Sequence, residues 1–154
     1  MTTLLRITAR PGAPIACDFT GATDTPEERL GEYLRLFEHA LADRARLADG
    51  VRLSFARKPG VAEWVTDLAR REAACCPFVS YDVTADGDTI TWETTGSADP
   101  AVQAILDQYI AIADNVGQGV DAMLGRLAAS GTHVVETSPG RVQMQHGRAD
   151  TATS

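Results

Sequence analysis

The segment "FVSYDVTADGDTITWETT" (78–95) places the strongest constraint on what this chain can fold into. Val79, Tyr81 and Val83 alternate with polar residues, Asp86-Gly87 supplies a tight turn, and Ile90 and Trp92 alternate on the return. The pattern predicts a β-hairpin with one apolar face, and such a ribbon must lay that face against other elements. Two further runs, "IACDFT" (15–20) and "VRLSFA" (51–56), share the period of two and read as strands, the first with Cys17 facing inward.

Helical spacing supplies the cover. Thr25-Pro26-Glu27-Glu28 is a capping box with proline at the first helical position, and Leu30, Tyr33, Leu34, Phe37 and Leu41 follow at turns of a helix expected over 26–48 and closing at Gly50. Past Pro59-Gly60, a second stripe runs through Val61, Trp64, Val65, Leu68, Glu72, Cys75 and Cys76. Pro77 disfavours helical geometry at the residue before it, so the helix should end there. Pro100 opens a third helical stretch with Val102, Ile105, Leu106, Tyr109 and Ile110 on one face. The stripe resumes at Val120, Met123, Leu124 and Leu127, past Gly117 and Gly119, which imply a kink or two helices.

The order strand, helix, strand, helix, hairpin, helix predicts an α+β two-layer sandwich. Its small sheet is mixed or antiparallel, helices pack on one face, and further helices follow at the C-terminal side. One domain is expected over 1–131, with a core of about 14–97 and a helical extension of about 98–130. Residues 132–154 are polar and rich in turn formers, and read as a disordered tail.

Charge narrows the partners. Twenty-one acidic residues against fourteen basic ones leave a formal charge of −7, and the arginines are scattered, which argues against nucleic acid and anionic membranes. No run of about 18 apolar residues occurs. The N-terminal "MTTLLRITARPGAP" has only a brief apolar run before Arg6 and Pro11, so the expected location is the cytoplasm. Three cysteines, an odd number, in a reducing compartment predict free thiols rather than a disulfide framework.

Chemistry concentrates at "REAACCPFVSY" (71–81). Glu72 lies three residues before Cys75 and four before Cys76, so a carboxylate and two thiols share one side of the last helical turns. Glu72 also interrupts an apolar stripe, where a buried carboxylate needs a partner, a proton or an edge position. Thiolates suit soft ions such as Hg(II) and Cu(I), and Cys17 supplies a third sulfur if its strand lies beneath the helix end. His39 falls off the first helix's stripe and His133 and His146 sit in the expected tail, which weighs against a Cys/His zinc site. The helix C-terminus disfavours thiolates there unless a cation stands nearby, and a disulfide between the two neighbours would be strained. Against all this stands plain packing, since two cysteines at the end of an amphipathic helix are often small core residues.

Glu72, Cys75, Cys76, Pro77 and Phe78 together resemble a family of small, mostly bacterial proteins built around a Glu-x-x-Cys-Cys-Pro-Phe motif. Ala16-Cys17 with Thr20 is similar to that family's early strand, and the likeness spans about residues 14–95. Members are loosely associated with heavy-metal regulators of the mercury-resistance type. The resemblance implies that Cys17, Glu72, Cys75 and Cys76 belong to one site.

The leading expectation is a soft-metal thiolate protein, binding Hg(II) or Cu(I) in preference to Zn(II), with Cys75 and Cys76 as primary ligands, Cys17 as a third, and Glu72 as a base or weak ligand. A thiol- or metal-dependent enzyme with Glu72 as acid or base is the alternative. A third reading is a non-catalytic interaction module with structural cysteines. Two successive apolar stripes after Pro100 exceed what a small sheet needs, which predicts a homodimer on residues 101–129, or a helix folded back to roof the thiol site.

Overall fold

The computed structural model describes residues 1–114 and 119–147. Along the chain run β1 (Thr2–Ile7), β2 (Ala16–Asp18), α1 (Pro26–Ala40), β3 (Leu41–Arg46), β4 (Gly50–Ala56), α2 (Val61–Cys75), β5 (Ser80–Asp86), β6 (Thr89–Thr95), α3 (Pro100–Asp114), α4 (Val120–Ala129), β7 (Thr132–Ser138) and β8 (Arg141–His146). The fold is α+β. The strands form two antiparallel sheets, one of five strands in the order β1-β5-β6-β4-β3 and one of three in the order β2-β8-β7.

The β5–β6 hairpin is the centre of the larger sheet, turning at Gly87 and Asp88 with Gly87 at φ +60°. Its period of two sets the register across three strands. Leu53, Trp92 and Val83 stand in one row, Phe55, Ile90 and Ala85 in the next, and every one is buried. The opposite face carries the row Arg52, Glu93, Asp82, Arg6, closed by ion pairs at each end. Charges on one face and hydrocarbon on the other leave the helices only one side on which to pack.

Helix α1 starts as expected, with the Thr25 hydroxyl accepting from Glu28 N–H and the Glu28 carboxylate accepting from Thr25 N–H. It ends at Ala40, not near residue 48. "LADRAR" is composed largely of good helix formers, yet it runs as strand β3 against β4, because pairing satisfies its backbone and places Arg44 and Arg46 against Asp114 and Asp107 of α3. Here tertiary pairing overrides helix propensity.

Helix α2 ends where Pro77 dictates: the Cys76 N–H still reaches Glu72 O at 2.7 Å, but Cys76 itself has left helical geometry. Its carbonyl accepts from the Tyr81 hydroxyl at 3.1 Å.

Helix α3 lies over the sheet with Val102, Leu106, Tyr109 and Ile112 buried, while Ile105 and Ile110 of the expected stripe are half-buried. Helix α4 buries Leu127 and leaves Leu124 exposed. The expected break falls at Gly119, which precedes α4, and at Gly117, which lies outside the described residues.

Further strands depart from the reading of the sequence. β1 pairs with β5 and adds an edge to the main sheet from a stretch whose brief apolar run signalled no strand. The segment expected as a disordered tail forms the β7–β8 hairpin through His146. Met144 is buried, and β8 takes β2 as its other neighbour. Its polar composition masks a strand pair that gains its apolar contacts only from the rest of the fold. Residues 148–154 of that expected tail lie outside the described residues.

Candidate functional site

The four residues singled out from sequence meet at the C-terminal end of α2, but not as three free thiols. Cys17 of β2 and Cys76 at the helix cap form a disulfide across 59 positions of sequence, with Cα atoms 4.7 Å apart, inside the usual range. This corrects the expectation that all three sulfurs are free. Counting cysteines could not show that β2, held on β8, passes beside the last residue of α2.

The neighbouring sulfurs take different partners, because Cys75 still belongs to the helix while Cys76 does not. Cys75 is the free thiol and is buried, and its Sγ lies 3.9 Å from Arg29 Nη2. The cation that a thiolate at a helix C-terminus requires is thus a guanidinium. Burial pushes the Cys75 thiol above its ordinary range, Arg29 pulls it back in part, and the negative charge of Glu72 adds to the rise.

Glu72, the polar interruption in the α2 stripe, is buried and fully partnered. Oε1 accepts from Arg29 Nη1 at 2.8 Å and Oε2 accepts from the Tyr109 hydroxyl at 3.2 Å. The partner that a buried carboxylate needs therefore comes from α1, and the roof is α3.

Arg29 is the hub that sequence reading missed. Its residue is only 3% exposed. Nε and Nη2 donate to the two oxygens of Asp24 at 2.6 and 2.8 Å, Nη1 serves Glu72, and the guanidinium sits 5.1 Å from the centroid of the Phe19 ring. Burial acts to lower its pKa, but the hydrogen bonds and charges of Asp24 and Glu72 outweigh that and hold it firmly protonated. Asp24 in turn is held below the usual carboxylate range by the hydrogen bonds from Arg29. A signal was present in the sequence: Arg29 stands four residues before Tyr33 and eight before Phe37, on the apolar face of α1.

Around this cluster Tyr33, Tyr81, Tyr109 and Trp92 pack with ring centroids 5.8 to 6.4 Å apart. Trp92, Tyr81 and Phe78 are core residues; Trp64 is half-buried and donates to Glu32 at 2.8 Å. Of the histidines, His39 lies beside Trp64 and His146 is hydrogen-bonded to Thr132. Among the described residues, no group of three or more His, Cys, Asp or Glu side chains is arranged to hold a metal ion. With Cys17 and Cys76 bonded to each other, neither is a free thiolate donor in this structure. Surface depressions at residues 41–44 and beside Arg6, Asp82 and Glu93, the latter about 200 Å³, are not lined by any of these cysteines, by Arg29 or by Glu72.

Among the described residues, no helix is long and apolar enough to cross a membrane. Comparison of the chain with protein-family models, with curated proteins and with solved structures found no match.

Proposed function

We propose that the protein is a soft-metal thiolate binder whose site assembles when the Cys17–Cys76 disulfide is reduced. What supports this reading is the convergence of Cys17 and Cys76, from opposite ends of a 59-residue separation, with Cys75 next in the chain. Cys17 and Cys76 are the primary ligands, a change from the Cys75/Cys76 pair that the sequence suggests. Cys75 is the third sulfur, and Glu72 and Arg29 set the charge beside it. Three thiols without an adjacent imidazole favour Hg(II) or Cu(I) over Zn(II). The resemblance to the Glu-x-x-Cys-Cys-Pro-Phe family, with its mercury-type associations, points the same way. A reducing cytoplasm, the proposed location, keeps such a pair open.

The test is anaerobic titration of the reduced protein with Hg(II) and with Cu(I), followed by thiolate-to-metal absorbance. One equivalent should bind, and Cys17→Ser or Cys76→Ser should abolish tight binding while Cys75→Ser weakens it. Absence of stoichiometric binding, or binding indifferent to Cys17 and Cys76, sinks the proposal.

A thiol enzyme is the second reading, favoured by the Tyr109–Glu72 hydrogen bond on the same helical turn as Cys75, which places an acid–base pair next to a sulfur. Consumption of a thiol-reactive substrate beyond one equivalent per protein distinguishes it from binding. The proposed homodimer now rests on α4, where Leu124 is exposed; sedimentation at micromolar concentration decides between it and a monomer.

A further inference from the structure

The segment 8–25, between β1 and α1, contains only the three residues of β2 as regular structure, and none of its residues is fully buried. Yet it lies on Arg29, the most deeply buried charge among the described residues. Phe19 stacks under the Arg29 guanidinium and Asp24 chelates it. The rest of its attachment is Ala9 N–H to Ser80 Oγ, Arg10 N–H to the Pro77 carbonyl, the pairing with β8 flanked by Met144 N–H to Ile15 O and Phe19 N–H to Gly140 O, ion pairs of Asp18 with Arg141 and Asp24 with Arg71, and half-buried apolar side chains such as Ile15 and Phe19 against the core. One covalent bond, Cys17–Cys76, ties its middle to the end of α2.

We propose that residues 8–25 are a redox-latched strap: reduction of the Cys17–Cys76 bond lets the strap lift from the Arg29–Glu72–Cys75 cluster, so one event frees two sulfurs and uncovers the third. A segment with no fully buried residue opens at lower free energy than the core strands once its covalent tie is cut. Thiol–disulfide exchange with a dithiol reductant supplies the chemistry. A thiolate of the reductant attacks the half-buried Cys17 sulfur in preference to the buried Cys76, and Cys76 leaves as its thiolate and takes up a proton. The reductant's second thiolate then displaces Cys17 from the mixed disulfide, and Cys17 is protonated in turn. The reductant ends as a disulfide, having delivered two electrons, and Cys17 and Cys76 end as thiols. This regulation deepens the metal-site reading, since the latch withholds that site's ligands, but its test uses no metal.

In the oxidised protein Cys75 is the free thiol, so its alkylation by iodoacetamide reports the cover directly. In a Cys17→Ser, Cys76→Ser variant Cys75 is again the sole thiol, without the latch. Alkylation should be at least roughly tenfold faster in the variant, as local opening requires. Hydrogen exchange on the unsubstituted chain guards against a misfolded variant. Adding a dithiol reductant should accelerate exchange of the amides of residues 15–20, while those of β4 and β6 stay protected over the same minutes. Strap amides as slow in the reduced protein as in the oxidised one would overturn the latch. Loss of protection in β4 and β6 together with the strap would overturn it as well, by showing that the bond holds the whole fold. Failure of the metal titration alone leaves the latch standing, and the converse holds.

Discussion

Arg29 Nη1 donates to Glu72 Oε1 at 2.8 Å across 43 residues of sequence, joining the first turn of α1 to the last turns of α2 in the interior. Each charge is where it is because of the other. Removing one member of a buried pair costs about 3–5 kcal/mol, whereas replacing both by hydrocarbon of similar volume is often neutral. Arg29→Ala should therefore destabilise by about that amount, since it strands Glu72 and Asp24 together. An Arg29→Met, Glu72→Leu double variant should recover much of the loss. Urea denaturation of the single and double variants tests this, and strictly additive losses would contradict it.

The three tyrosines of the chain, Tyr33, Tyr81 and Tyr109, all have phenols whose pKa lies well above the ordinary value, chiefly through burial and, for Tyr33 and Tyr109, next through the charge of Glu72. A raised folded-state pKa means stability that is complete below the unfolded value of about 10 and is drained as pH climbs beyond it. Absorbance at the tyrosinate band should stay flat above pH 10 and then rise in a single cooperative step that coincides with loss of circular dichroism. A gradual rise in the folded protein would show an accessible phenol.

Acid should act through Asp24 and Glu32, both held below the ordinary carboxylate range, Asp24 by hydrogen bonds from Arg29 and Glu32 by those from Arg71. A depressed folded pKa gives stability that is present above the unfolded value of about 4 and is lost as pH falls through the folded one. Denaturation midpoints should fall steeply below about pH 4. Asp24→Asn should flatten that slope while lowering stability near neutrality; an unchanged acid limb would exclude Asp24 from the linkage.

Reduction should lower global stability too. The bond closes a loop with a sequence separation of 59, and a crosslink over a loop of that order contributes about 4 kcal/mol, mainly by restricting the unfolded chain. The urea midpoint should drop on adding reductant, and the Cys17→Ser, Cys76→Ser variant should match the reduced protein with no further response to reductant. A reductant effect that persists in that variant would place it elsewhere.

Local pattern determined much of this protein. The β5–β6 hairpin follows from alternation about Asp86-Gly87, the start of α1 from Thr25 and Glu28, and the end of α2 from Pro77, because each rests on interactions within a few residues of chain. The presence of Glu72 in an apolar stripe announced a buried partner without identifying it. Tertiary structure alone decided the rest. "LADRAR" became β3 because β4 offered an edge and α3 offered Asp107 and Asp114; β7 and β8 became a hairpin through β2 and the core around Met144. Arg29 reads as an ordinary helical arginine until Asp24, Phe19 and Glu72 surround it, and Cys17 chose Cys76 over Cys75 because the chain leaves the helix between the two neighbours. Short-range geometry is written into neighbouring residues, whereas a partner for a buried charge or a sulfur exists only once distant segments are packed together.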